Sequence, residues 1–191
     1  MKESYKLYMV LLGCVPKGRL TEQHDIFFGI GSSLKELITD MYKFWPDASD
    51  LHIDAWREVT AVDGYSVTIV PKVEAQSNDD NLFFINLGGY KAGELEEYHY
   101  KMVTVGKTMA DAIKKSKKST FYKHYGMKGA AASHIDDKYG IDVDNLYKVE
   151  EILAPHLTEQ YSLALTKADD VLPEDELHIG YVRLSKLKKT P

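Results

Sequence analysis

Leu7-Tyr8-Met9-Val10-Leu11-Leu12-Gly13 and, 75 residues further on, Leu82-Phe83-Phe84-Ile85-Asn86-Leu87-Gly88 decide how this chain is read. Each is an apolar run of strand length that stops at glycine, the pattern of a buried strand entering a turn. Carried outward without a gap, Leu7 to Ile38 overlies Leu82 to Ile113 with identities at Leu7/Leu82, Leu12/Leu87, Gly13/Gly88, Gly18/Gly93, Leu20/Leu95, Glu22/Glu97, His24/His99, Gly31/Gly106 and Ile38/Ile113. Ordinary residue usage would give roughly two matches over such a length. The chain therefore reads as an internal duplication.

In the first copy, Val15-Pro16-Lys17-Gly18 carries turn chemistry, and Asp25 to Ile30 is rich in aromatic and β-branched residues, so a hairpin is expected. One long helix over Glu22 to Phe44 is disfavoured, since Gly29 and Gly31 would each cost about 1 kcal/mol inside it. Ser33 with Glu36 forms a capping-box pattern ahead of Leu34, Leu37, Ile38 and Met41 at helical spacing. Strands follow over Leu51 to Val59 and Tyr65 to Val70, around Val62-Asp63-Gly64. The second copy repeats the order, with the cap pair Thr108 and Asp111. Beyond it, Val143, Leu146, Val149, Ile152 and Leu153 stand at near-helical spacing, and the last strands fall at Tyr161 to Thr166 and His178 to Leu184.

These readings give an α+β protein of two ββαββ units, with largely antiparallel sheets, helices packed on one face, and pseudo-twofold symmetry. The first unit spans 1–74, a polar linker 75–80, and the second unit 81–191 with a helical insertion near 142–153.

Composition bounds the rest. The chain has 191 residues, 44% apolar and 28% charged, which is ordinary for a globular protein. Its net charge of -5 does not draw nucleic acid or anionic membrane, and the lone Cys14 fits a reducing compartment, hence the cytoplasm. Lys2, Lys6 and Leu11-Leu12-Gly13-Cys14 imitate a lipoprotein signal, but the apolar core is shorter than the roughly 7 to 15 residues such a signal needs. No stretch reaches the ~20 apolar residues of a membrane span.

A family resemblance rests on Leu12-Gly13, Gly18-Arg19-Leu20, Glu22 to Ile30, His52-Ile53-Asp54-Ala55-Trp56-Arg57-Glu58-Val59 and Val62-Asp63-Gly64-Tyr65. In these the chain resembles the domain-of-unknown-function 1543 family, bacterial proteins with one or two copies of the unit. The resemblance implies a bacterial cytosolic protein and supplies no catalytic residues.

Three sets of residues carry chemistry. On a strand, residues i and i+2 share a face, about 6.6 Å apart, so His52 with Asp54 and His134 with Asp136 each present an imidazole beside a carboxylate. Converging, they would suit zinc or another divalent ion; otherwise they are a wet strand face with Ile53 and Ile135 turned inward. Glu22 with His24 and Glu97 with His99 repeat that spacing at the start of the second strand of each copy, as an acid/base pair or as a hairpin fastening. Lys107 to Lys128 holds seven lysines and one acid, with Lys114, Lys115, Lys117, Lys118, Lys123 and Lys128 as candidate polyanion contacts and Phe121, Tyr122 and Tyr125 interleaved. The plainer reading sets these lysines on the solvent face and C-terminal end of the second helix.

No nucleophile with a base, no phosphate loop and no compact metal motif is legible. The expectation is a non-catalytic binding or interaction protein for a small ligand or a protein partner, with no cofactor. Catalytic residues stay unassigned and a homo-oligomer stays open. The alternatives are a metal-dependent, hydrolytic enzyme using the His-x-Asp pairs, or an RNA- or nucleotide-binding protein using the lysine stretch.

Overall fold

The hairpin announced by the first apolar run is formed by β1 (Lys6–Cys14) and β2 (Gln23–Gly31), antiparallel and in unbroken register from Lys6↔Gly31 to Cys14↔Gln23. The computed structural model describes residues 4–75, 79–90, 94–118 and 141–187. The fold is mixed α and β, with mostly antiparallel sheets and, among the described residues, few and short helices. It divides into two compact units, Met1–Gln76 with Leu153–Pro191, and Ser77–Ile152.

In the first unit, β1 and β2 are joined by α1 (Ile38–Phe44) and β3 (His52–Glu58), and β3 pairs with the free edge of β1. Tyr8, Val10, Leu12 and Cys14 alternate along β1 onto one face, where they pack with Phe27, Leu37, Ile38, Met41, Leu51 and Ile53. Each fully buried aliphatic side chain there contributes about 1.5–3 kcal/mol. The opposite face carries Gly13 and Leu11, together with the buried Leu7 and Met9. A second sheet follows from β4 (Ala61–Val62) and β5 (Tyr65–Pro71), closed by the expected turn. Asp63 at φ 53° and Gly64 at φ 78° take the left-handed conformations that a two-residue hairpin loop needs.

In the second unit, β6 (Asn81–Tyr90) and β7 (Glu97–Gly106) form a hairpin in which Gly88 faces His99, as Gly13 faces His24 in the first. It continues into α2 (Met109–Ser116) and β8 (Ile141–Lys148), and β8 lies on the free edge of β6. Phe83, Ile85, Leu87 and Ala112 form its core, with Val143 and Leu146 against them. The Thr108–Asp111 capping box is present: Thr108 Oγ1 accepts from Asp111 N–H at 3.2 Å, and Asp111 Oδ2 accepts from Thr108 N–H at 3.1 Å.

Three expectations are corrected. The first-copy cap does not use Ser33; Glu36 instead accepts from Ser32 N–H (2.8 Å) and Ser32 Oγ (2.9 Å), and regular helix starts only at Ile38. The helix expected near 142–153 is β8 as far as Lys148, followed by a single turn, α3 (Val149–Ile152). A β-bulge explains the misleading spacing. The register slips between Asn86 and Leu87, so Val143 opposite Leu87 and Leu146 opposite Ile85 share a face although three residues apart.

The chain's last strands also do not complete a second ββαββ unit. After α4 (Pro155–Thr158), β9 (Tyr161–Lys167) pairs with β5, and β10 (His178–Arg183) pairs with β3 before α5 (Leu184–Leu187). Both β3 and β5 have an open edge whose backbone groups need partners, and these strands supply them. The second unit thus shows ββαβ among its described residues. Finally, β2 disposes of the long-helix alternative. Among the described residues, no helix is long and apolar enough to cross a membrane.

Candidate metal centre

One row of residues crosses three neighbouring strands of the first unit: His24 on β2, Gly13 on β1 and His52 on β3, each paired with the next. Neighbouring strands lie about 4.8 Å apart, so the two histidines flank the glycine. A side chain there would displace them. A Cβ at position 13 would stand 2.6 Å from both Asp54 Oδ2 and His52 Nε2, and 3.0 Å from the His24 ring. The missing side chain is the hollow in which the polar groups gather.

Asp54 reaches the hollow through a bulge. The β1–β3 register slips between Leu11, opposite Ala55, and Leu12, opposite Ile53, which leaves Asp54 as the extra residue. Its Oδ2 lies 3.1 Å from His24 Nε2 and 3.5 Å from His52 Nε2. Glu22, just before β2, places Oε1 2.9 Å from His52 Nε2 and Oε2 3.6 Å from His24 Nε2. Four side chains singled out in the sequence as two separate pairs are therefore one cluster.

The His52 ring is oriented by the backbone: its Nδ1 lies 3.0 Å from the Asp50 carbonyl oxygen. Donation there leaves Nε2 as a lone pair aimed into the cluster. The side chain is only 5% exposed, and Nε2 and Asp54 Oδ2 are both buried without a hydrogen-bond partner. Such orphans are costly, at about 1–3 kcal/mol each. Tyr181, from an irregularity in β10, lays its ring over His52 with centroids 4.5 Å apart, and donation from Arg183 Nε to its hydroxyl (3.1 Å) steadies it. On the opposite face of β1, burial and then the charge of Glu22 push the Cys14 thiol above its ordinary range, so it stays a neutral core group.

The second unit has a corresponding place. Glu97 and His99 lie on β7, and Asp144 is the bulged residue of β8, with His99 Nε2 3.3 Å from Asp144 Oδ2. One ligand atom from each of the three lies within 4.8 Å of the others. The row here runs His99, Gly88, Asp142. In strand position Asp142-Val143-Asp144 therefore matches His52-Ile53-Asp54. His134-Ile135-Asp136, which repeats the letters of His52-Ile53-Asp54, is not in that position of the sheet; His134 and Asp136 lie outside the described residues. Sequence reasoning missed Asp144 and Tyr181. An Asp-x-Asp echo of His-x-Asp was the available signal for the first, and nothing marks the second.

Of the lysines, Lys114, Lys115, Lys117 and Lys118 are exposed at the C-terminal end of α2, and Lys115 Nζ donates to the Val105 carbonyl at 2.5 Å. Lys123 and Lys128 lie outside the described residues.

No curated protein matches this chain. Among solved structures, the crystal structure of a protein Il1583 from Idiomarina loihiensis is similar at 22% identity and a TM-score of 0.64, covering 94% of this chain and 97% of that one. At that identity the likeness speaks for the fold alone. Residues 19–69, which hold Glu22, His24, His52 and Asp54 together, match the family model described as Domain of Unknown Function (DUF1543), the family that the sequence resembles.

Proposed function

We propose that this is a binding protein whose ligand is a divalent transition-metal ion, held in the first unit by His24 Nε2, His52 Nε2, Asp54 Oδ2 and a Glu22 carboxylate oxygen. The observation that carries the reading is the buried, unpartnered Nε2 of His52, with Nδ1 tied back to the Asp50 carbonyl. That is the arrangement by which a histidine ligand is fixed for a metal.

The distances support it. Four ligands at ~2.1 Å around a tetrahedral ion stand about 3.4 Å from one another, and the N···O separations run from 2.9 to 3.6 Å, with Glu22 meeting His52 through Oε1 and His24 through Oε2. With Nδ1–H donated to the Asp50 carbonyl, His52 Nε2 has no hydrogen to give the Glu22 oxygen 2.9 Å away, and a cation between the two lone pairs relieves that opposition. Two imidazoles with two carboxylates suit zinc and its neighbours over magnesium or calcium. Four protein ligands fill a tetrahedral ion, which favours binding over catalysis.

The shared strand–glycine–histidine geometry of the two hairpins supports descent from one duplicated unit, and the buried lone thiol fits a bacterial cytoplasm. Equilibrium dialysis against zinc tests the function. The protein retains a zinc ion that His52→Ala releases with an affinity loss of at least ~100-fold, since outer-shell changes alone reach that size. Equal retention by the variant would overturn the assignment.

A further inference from the structure

We infer that the second unit holds its own cation site, formed by Glu97, His99 and Asp144, and that its ion keeps open positions for water or a small oxyanion. The inference rests on other residues than the first centre and stands if that one fails. His99 Nε2, an Asp144 oxygen and a Glu97 oxygen gather within 4.8 Å of one another. The backbone is shaped for the gathering: Asp144 is the extra residue of a bulge, and a Cβ on Gly88 would collide with its carboxylate. Two residues before Gly88, on the same face of β6, Asn86 keeps a buried Oδ1 without a hydrogen-bond partner, an acceptor in the row beside the site.

Three ligands leave one position on a four-coordinate ion and three on a six-coordinate one. Of its three ligands two are carboxylates and one an imidazole, so oxygens outnumber nitrogen. His99 is also far more open than His52, at 39% against 5% side-chain exposure. Carboxylate and water ligands suit manganese, and exposure admits exchangeable water. The two sites should therefore sort metals, with the nitrogen-richer, enclosed one taking zinc and the oxygen-richer, open one taking manganese.

The test uses manganese alone as the probe. Titrated into the full chain already loaded with one equivalent of zinc, it should bind one ion per chain and enhance water-proton relaxation, which reports water on the ion. His99→Ala and Asp144→Asn should each weaken that binding by at least ~10-fold, with circular dichroism unchanged, and His52→Ala, titrated without zinc so that no freed zinc competes, should leave manganese affinity within about twofold of wild type titrated the same way. His99 is exposed, so its replacement leaves a folded chain for the comparison. No relaxation enhancement at millimolar manganese, or enhancement lost in His52→Ala but kept in His99→Ala, would overturn the second site. Loss of zinc binding alone, with manganese retained, would count against the first centre only.

Discussion

At the residue scale, the arrangement turns on a glycine and on a histidine with one nitrogen tied down. Gly13→Ala puts a methyl 2.6 Å from His52 Nε2 and Asp54 Oδ2, so both side chains must swing away. Alanine is otherwise no worse than glycine inside a strand. The variant should therefore stay folded while losing zinc affinity by at least ~10-fold, which calorimetry would read. Unchanged affinity would mean that the hollow is not used. Protons compete for imidazole and carboxylate ligands, so zinc affinity should also fall as the solution is acidified.

A separate pH effect arises at Tyr8. Burial, and then the neighbouring Glu58 charge, push its hydroxyl from 10.0 up to about 12, with Glu58 Oε1 accepting from it at 3.4 Å. A group whose pKa is raised in the fold contributes stability fully present below the unfolded value and lost as pH rises through the folded one. Urea melts should accordingly show wild type weakening between pH 10 and about 12, and Tyr8→Phe weakening less over that window. That Glu22 lies near His24, and Glu97 near His99, was legible at this scale because i, i+2 spacing sets such side chains on one side of an extended chain. That His24 and His52 meet over Gly13 was not, because it depends on cross-strand register.

At the element scale, the bulge is the working device, and it is also what hid half of the site. In β3 and in β8 an extra residue turns an aspartate onto the glycine face, while apolar residues three apart, Ile53 with Trp56 and Val143 with Leu146, come to share the core face. A three-residue apolar spacing is the first step of a helical pattern too, so β8 read as helix. Local signals with fixed offsets fared better. Thr108 with Asp111 capped its helix as expected, and Asp63-Gly64 turned its hairpin. Asp54→Asn keeps the shape of the bulged residue but removes its charge. It should lower zinc affinity at least ~10-fold and leave the unfolding free energy of the metal-free chain, read from urea melts, within about 0.5 kcal/mol of wild type.

At the scale of the whole molecule, the two opening hairpins were legible in the sequence and the pairing of the closing strands was not. Nothing in Tyr161–Lys167 or His178–Arg183 names a partner strand, and proximity in sequence pointed to the second copy, whereas β5 and β3 take them. The first unit therefore depends on the chain's C-terminal part. A chain ended after Ile152 should lose cooperative unfolding of that unit, seen as loss of slow amide exchange in β3 and β5.

Metal should act on stability as well. Saturation at a hundred times the dissociation constant stabilises the folded state by about 2.7 kcal/mol, so zinc should raise the unfolding temperature of wild type and not of His52→Ala. The most direct measurement is anomalous diffraction at the zinc edge from crystals of the protein grown with zinc. A peak within ~2.1 Å of both His24 Nε2 and His52 Nε2, with Asp54 and Glu22 completing the shell, is the result predicted. Zinc bound elsewhere, with His52 Nε2 and Asp54 Oδ2 still facing each other over Gly13 and nothing between them, would contradict it.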